Sequence, residues 1–128
     1  MDYTIDRVIE ADFATVVERT IAALKQQGFG ILTDIDVQAT LKAKLDVAFR
    51  PYRILGACNP PFAHKALQLE DKIGAMLPCN VIVQQRPDGR VEVSAVDPLQ
   101  GMERIGNPKL TAIAGQVGAM LRQVVAAV

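Results

Sequence analysis

Residues 80–96, NVIVQQRPDGRVEVSAV, decide the fold class of this chain. Two runs rich in valine, 80–86 and 90–96, flank Pro87-Asp88-Gly89, which is typical of a tight turn. Parallel strands need a crossover of about a dozen residues or more, and this connection is far too short for one. The stretch therefore predicts an antiparallel hairpin and argues against a doubly wound parallel sheet.

Three further strands are predicted upstream, at residues 3–8, 29–35 and 52–57. Asp12 is a suitable N-cap for a helix between the first two strands, and Gly28 is a suitable end for it. A short amphipathic helix with Val37, Leu41 and Leu45 on one side is predicted from Asp36 onwards.

Two more helices are predicted around the hairpin. Asn59 and Pro60 favour a helix start, with the helix running to about Ile73 and ending at Gly74. Residues 97–106 are predicted to be a loop, and Asn107 with Pro108 starts the last helix.

This order predicts a single α+β domain, residues 1–128, with a mostly antiparallel five-stranded sheet and helices on one face. The frame is strand, helix, four strands and helix, with short helices inserted. The predicted core residues are Ile5, Val16, Ile21, Leu24, Leu55, Val81, Val83, Val93, Leu110, Val117 and Leu121.

Composition narrows the function classes. Fourteen basic and fourteen acidic residues are intermixed, so the chain lacks the basic stripe that nucleic acid or an anionic membrane surface selects. The acidic start MDYTIDRV does not resemble a secretory signal, and no apolar run approaches the length of a membrane span. We therefore expect a cytoplasmic protein with reduced cysteines and no nucleic-acid or membrane partner.

Residues 58–79, CNPPFAHKALQLEDKIGAMLPC, contain both cysteines and the only histidine. If the third and fourth strands pair antiparallel, Cys58 and Cys79 lie at the same end of the sheet, and a directly opposed pair would be in contact. Such a pair could cycle between dithiol and disulfide, or bind a soft metal ion with His64 as third ligand. The alternative is that both are small apolar side chains packed at strand ends. No other cofactor is expected.

The side chain of His64 could act as a general acid or base, but it could equally be a solvated helix residue. The chain has no serine elbow and no glycine-rich phosphate loop, so the sequence indicates no reaction class and favours a protein that is not an enzyme.

A binding cleft is the third possibility. The helix start at Asn59 and Pro60, the corner at Leu77 and Pro78, and the loop at Met102 could converge, with Lys65 near an anionic group at the helix start. Cys58 and Asn80 complete the predicted ligand-binding set, although the same residues could simply shape turns and core. We expect Asn59 and Asn80 to hydrogen-bond the backbone at the strand ends. The predicted function is small-molecule or metabolite binding, with thiol redox or soft-metal binding as the alternative.

Ala112, Gly115, Gly118 and Ala119 place small side chains on the last helix. Glycines inside a helix destabilise it, so these residues indicate close approach to the sheet or to a second subunit. We therefore expect a homo-oligomer, most simply a dimer.

Three motifs carry a resemblance to a known family: residues 56–60 (GACNP), residues 77–81 (LPCNV), and Asp97-Pro98 followed by Met102. Together they resemble the domain-of-unknown-function family DUF302 over essentially the whole chain. The resemblance implies a compact fold similar to a half-domain of the TATA-binding protein, and it implies no established activity.

Overall fold

The structure is a computed structural model that describes residues 2–128. Five strands and five helices follow one another in the order β1 (Thr4–Ile9), α1 (Phe13–Gln26), β2 (Gly30–Asp36), α2 (Val37–Leu45), β3 (Tyr52–Cys58), α3 (Pro60–Leu69), β4 (Cys79–Gln85), β5 (Val91–Val96), α4 (Pro98–Met102) and α5 (Pro108–Ala127). Short 3-10 turns occupy Ile73–Met76 and Glu103–Ile105. The α+β class is confirmed, and all five predicted strands form within about a residue of their predicted ends.

The sheet is fully antiparallel, with strand order β1-β5-β4-β3-β2. The predicted hairpin joins β4 to β5, where Val83 pairs with Val93. β1 and β2 form the two edges, and β2 carries a register irregularity between Ile31 and Thr33. The predicted frame is therefore present, with α2, α3 and α4 as insertions, while the likeness to a TATA-binding-protein half-domain stays a prediction from the family resemblance.

The core lies between one face of the sheet and the helices α1 and α5. Val81, Val83 and Val93 are completely buried there, as are Leu24 of α1 and Leu121 of α5. Ile5 and Ile21, which we predicted to be core residues, are only partly buried and pack at its margin. Along β3 and β4 the side chains alternate, so Ile54 and Ile82 belong to the opposite face and are not buried.

Local sequence signals account for most helix ends. Asp12 accepts a hydrogen bond from the backbone of Thr15, and Asn107 accepts from Lys109 and Leu110, which confirms these two predicted N-caps. Asp36 caps α2 in the same way by accepting from Ala39. Gly28, just after α1, adopts a φ of 83°, a conformation that glycine reaches without strain.

Two predictions downstream of β3 are wrong. α3 ends at Leu69, four residues short of the predicted end, and Gly74 lies within the following 3-10 turn. The predicted loop after β5 contains α4, because buried Asp97 accepts a hydrogen bond from Leu99 N and Pro98 occupies the first helical position. Both corrections reflect short helices, which depend on neighbouring packing more than on periodicity.

In the described part of the chain, α5 is the one helix whose length and composition would allow a membrane span, and 39% of its most apolar window is buried inside the molecule. This is weak evidence for a span, because a helix that packs on a sheet passes the same test.

Candidate functional site: an apolar cavity at the ends of β3 and β4

A cavity of about 330 Å³ lies where β3 ends and β4 begins, enclosed by α3, α4 and α5. Pockets for small molecules begin at about this size. The lining residues are Phe29, Leu32, Ala57, Cys58, Asn59, Phe62, Ala63, Ala66, Leu67, Gly74, Leu77, Pro78, Cys79, Pro98, Met102, Ile113, Ala114 and Val117. The lining is therefore apolar apart from one carboxamide and two thiols.

Small side chains on facing helices leave this space open. α3 packs against α5, and the residues that they direct to the cavity include Ala63 and Ala66 from α3 and Ala114 from α5. The cavity lies along the seam between the main core and a second cluster formed by Ala66, Ile73, Met102, Leu110 and Ala114. The two clusters thus form separate packed units with a gap between them.

The cavity meets solvent beside its most exposed lining residues. The side chain of Leu32 is 66% exposed and that of Leu67 is 44% exposed. Leu32 stands at the register irregularity of β2, so it has no partner of its own on β3. An apolar ligand could therefore enter beside the edge strand without crossing the sheet.

Both cysteines line the cavity, and both are free. Cys58 and Cys79 lie at the same end of the sheet, as expected, but they are not directly opposed, because Cys79 pairs with Ala57 whereas Cys58 pairs with Gly30. With this offset of one residue they do not form a cross-strand pair on one face, since successive residues of a strand point to opposite faces of the sheet. Burial, with a smaller effect of the nearby Cys58, raises the pKa of the Cys79 thiol to about 11. Cys79 is consequently protonated near neutral pH.

His64 does not join the cysteines. Within residues 2–128 no three histidine, cysteine, aspartate or glutamate side chains are close enough to hold one metal ion, which corrects the predicted three-ligand set. The reason is helical periodicity: Phe62, Ala63, Ala66 and Leu67 form the face of α3 that lines the cavity, and His64 lies outside it, exposed.

Asn59 is part of the lining, but its predicted role as a side-chain N-cap is wrong. Its Nδ2 donates instead to the carbonyl oxygen of Gln27, at 3.2 Å, which is a backbone hydrogen bond of the kind we expected. Asn59 therefore ties the start of α3 to the end of α1.

The other predicted site residues divide between two places. Leu77, Pro78 and Met102 converge on the cavity with Cys58 and Asn59. Pro60, Lys65 and Asn80 are exposed and outside the lining. Lys65 follows the helix periodicity away from the cavity and places its ammonium 5.7 Å from the ring centroid of Phe62. Asn80 pairs with Gly56 in the ladder, and among the described residues its side chain makes no hydrogen bond.

Asp97 fixes the position of α4, which forms part of the cavity wall. Its carboxylate accepts from Leu99 N at 3.1 Å and from the guanidinium of Arg122 at 3.3 Å. Gly118 of α5 faces this junction, since a Cβ there would lie 3.6 Å from Asp97 Oδ1 and 3.8 Å from Pro98. The motif Asp97-Pro98 thus positions Pro98 and Met102 at the cavity.

The sequence prediction missed most of the lining, chiefly the residues that α3 and α5 contribute. The missed residues are Phe29, Leu32, Ala57, Phe62, Ala63, Ala66, Leu67, Gly74, Pro98, Ile113, Ala114 and Val117. The sequence contained one signal of the cavity. The inward face of α3 carries two alanines, Ala63 and Ala66, where the inward face of a helix usually carries large apolar residues.

Comparison with known proteins gives a family and a fold. The family model described as "Domain of unknown function DUF302" matches residues 5–128. The crystal structure of an uncharacterized conserved protein DUF302 from Bacillus stearothermophilus superposes with a TM-score of 0.90 at 27% sequence identity, covering 97% of this chain and 96% of that chain. Among curated proteins, nothing matches this chain.

Proposed function

This chain belongs to the DUF302 family, and from the cavity at the ends of β3 and β4 we propose that it is a small-molecule-binding protein whose ligand enters that cavity. One observation carries the proposal: an open space of about 330 Å³ with an almost wholly apolar lining. Filling such a space with apolar ligand atoms removes both ligand and lining from water, at about 25 cal/mol per Å² of apolar surface buried.

The position of the cavity supports binding over mere imperfect packing. It reaches solvent beside Leu32 and Leu67, so a ligand can enter without unfolding the protein. It also lies where two independently packed clusters meet, and pockets tend to occur between helices and at such junctions.

Occlusion of the cavity tests the proposal. Leucine in the variant Ala63→Leu extends from α3 into the cavity, whereas Ala43→Leu places the same side chain on the exposed surface of α2. With heptanol as probe, we expect the wild-type protein and Ala43→Leu to show a ligand-dependent rise in Tm, and Ala63→Leu to bind at least about tenfold more weakly. Equal binding by the two variants, each folded by circular dichroism, would contradict the proposal.

Native mass spectrometry of freshly purified protein is the complementary measurement. We expect a bound organic mass in the wild-type protein that is absent from Ala63→Leu. A metal adduct in its place would favour the second candidate.

The second candidate is thiol redox chemistry or soft-metal binding at Cys58 and Cys79. Both cysteines are free and both line the cavity, which supports this candidate, although the high pKa of Cys79 opposes the thiolate that both reactions need. Titration of free thiols before and after reductant, together with cadmium binding followed by thiolate absorption, tests it. A full complement of thiols without reductant and no cadmium binding would remove this candidate. Reduced cysteines also fit the cytoplasmic location that we propose.

A further inference from the structure

We infer that the ligand of the cavity is an uncharged, largely apolar molecule with one hydrogen-bond donor, and that the carboxamide oxygen of Asn59 accepts this donor. The inference rests on the proposed function and specifies the chemical class of its ligand.

The lining excludes charge from the enclosed part of the ligand. The lining residues in the described part of the chain include no aspartate, glutamate, lysine, arginine or histidine. Transferring an unpaired charge from water into such surroundings is strongly unfavourable. The part of the ligand inside the cavity must therefore be neutral.

Among residues 2–128, three residues with polar side chains line this space: Asn59, Cys58 and Cys79. Thiols are weak donors and weak acceptors, and the raised pKa of Cys79 keeps it protonated near neutral pH. The carboxamide of Asn59 is thus the strongest hydrogen-bonding side chain that a ligand can meet here.

The orientation of that carboxamide is set by its neighbours. Nδ2 donates to Gln27 O at 3.2 Å, and the absence of a side chain at Gly28 allows this approach, since a Cβ there would lie 3.1 Å from Nδ2. Among the described residues, Oδ1 of Asn59 has no hydrogen-bond partner and is not sealed from solvent. A carboxamide oxygen can accept two hydrogen bonds. Asn59 therefore presents an acceptor already held in position, so its preferred ligand group is a donor such as a hydroxyl.

A pair of isomers tests the inference. Heptanol and hexyl methyl ether contain the same atoms, but only heptanol can donate a hydrogen bond. We expect the wild-type protein to bind heptanol about fivefold more tightly than the ether, as one hydrogen bond predicts. In Asn59→Leu, which has a similar volume and no acceptor, this preference should disappear. In Asn80→Leu, which changes an exposed carboxamide outside the lining, it should persist.

The outcomes separate this inference from the proposed function. If the wild-type protein binds both isomers equally, the donor requirement is wrong while small-molecule binding stands. If neither isomer binds, both are wrong. If Asn59→Leu fails to fold, the wild-type comparison decides, together with the position of the heptanol oxygen in a crystal structure of the complex, which must lie within hydrogen-bonding distance of Asn59 Oδ1.

Discussion

At the scale of single residues, Cys79 shows how the fold alters chemistry. It is 7% exposed, and its burial in the cavity wall raises its pKa from the usual 9.0 to about 11. Because the folded protein holds this proton more tightly than the unfolded chain does, Cys79 contributes stability that is fully present below about pH 9 and is lost as pH rises towards about 11.

We therefore expect the free energy of unfolding to fall between about pH 9 and pH 11, with Cys79 responsible for up to roughly 2–3 kcal/mol of the loss. Urea denaturation across this range measures it. Cys79→Ala should have a shallower pH dependence, whereas Cys58→Ala should keep most of it, because desolvation is the main cause of the shift. Identical slopes in the wild-type protein and Cys79→Ala would show that Cys79 is not the group responsible.

Gly56, in the middle of β3, is a glycine because its neighbours occupy the space of a side chain. A Cβ there would lie 2.1 Å from Thr33 Oγ1 on β2 and 2.8 Å from Pro78 Cγ before β4. We expect Gly56→Ala to destabilise the protein by about 1–3 kcal/mol, the usual effect of overpacking. The control is Gly30→Ala in β2, where a Cβ would meet nothing within 4 Å. Urea denaturation should show a lower midpoint for the first variant only.

At the scale of elements, the guanidinium of Arg7 in β1 binds the C-terminal end of α5. Nη1 of Arg7 donates to the carbonyl oxygens of Val125, Ala126 and Val128 at 3.3, 2.7 and 3.0 Å. These carbonyls have no partner within the helix, and a positive charge at this end also interacts favourably with the negative end of the helix dipole. Arg7 thus joins an edge strand to the last turn of the helix that covers the sheet.

Replacing Arg7 by methionine keeps much of the aliphatic stem and removes these donors. We expect Arg7→Met to lower the free energy of unfolding by about 1–2 kcal/mol and to speed amide hydrogen exchange in the last turn of α5. Arg104→Met changes an exposed arginine in the 3-10 turn after α4 and is the matched control. Equal exchange rates at the end of α5 in the two variants would contradict this role for Arg7.

At the scale of the whole molecule, the exposed face of α5 and the two open sheet edges favour self-association. Gly118 packs against Asp97 and Pro98 within the chain, whereas Gly115 has nothing within 4 Å of a Cβ built on it and lies beside the exposed Ala112 and Ala119. β1 and β2 are open sheet edges, which can pair with another chain unless something blocks them. A homodimer therefore remains our prediction.

Light scattering at tens of micromolar protein should report a mass twice that of the chain. If the face of α5 that carries Gly115 is the interface, Gly115→Arg should convert the dimer to a monomer. Gly106→Arg cannot serve as the control, because the positive φ of Gly106 would be strained for arginine. Lys109→Glu, exposed near the start of α5, is the better control. A monomer in the wild-type protein at this concentration would remove the prediction.

How much could be read from the sequence depended on the range of the interactions involved. The alternating valines of 80–96 and the turn at Asp88 and Gly89 determined the hairpin, because strand period and turn chemistry are local properties. Asp12 and Asn107 determined helix starts for the same reason, since a cap bonds the backbone within three residues.

The cavity was decided only by tertiary structure. Asn59, Leu77 and Met102 could be predicted to converge, since strand ends and prolines mark where chain segments meet. The predicted contribution of Lys65 was wrong, and only the structure shows which side of α3 faces the cavity. The one-residue offset of the cysteines likewise depends on the register of β3 and β4, which is set by packing across the sheet. Local patterns determined which elements form, whereas the space left between α3 and α5 arose from how those elements pack.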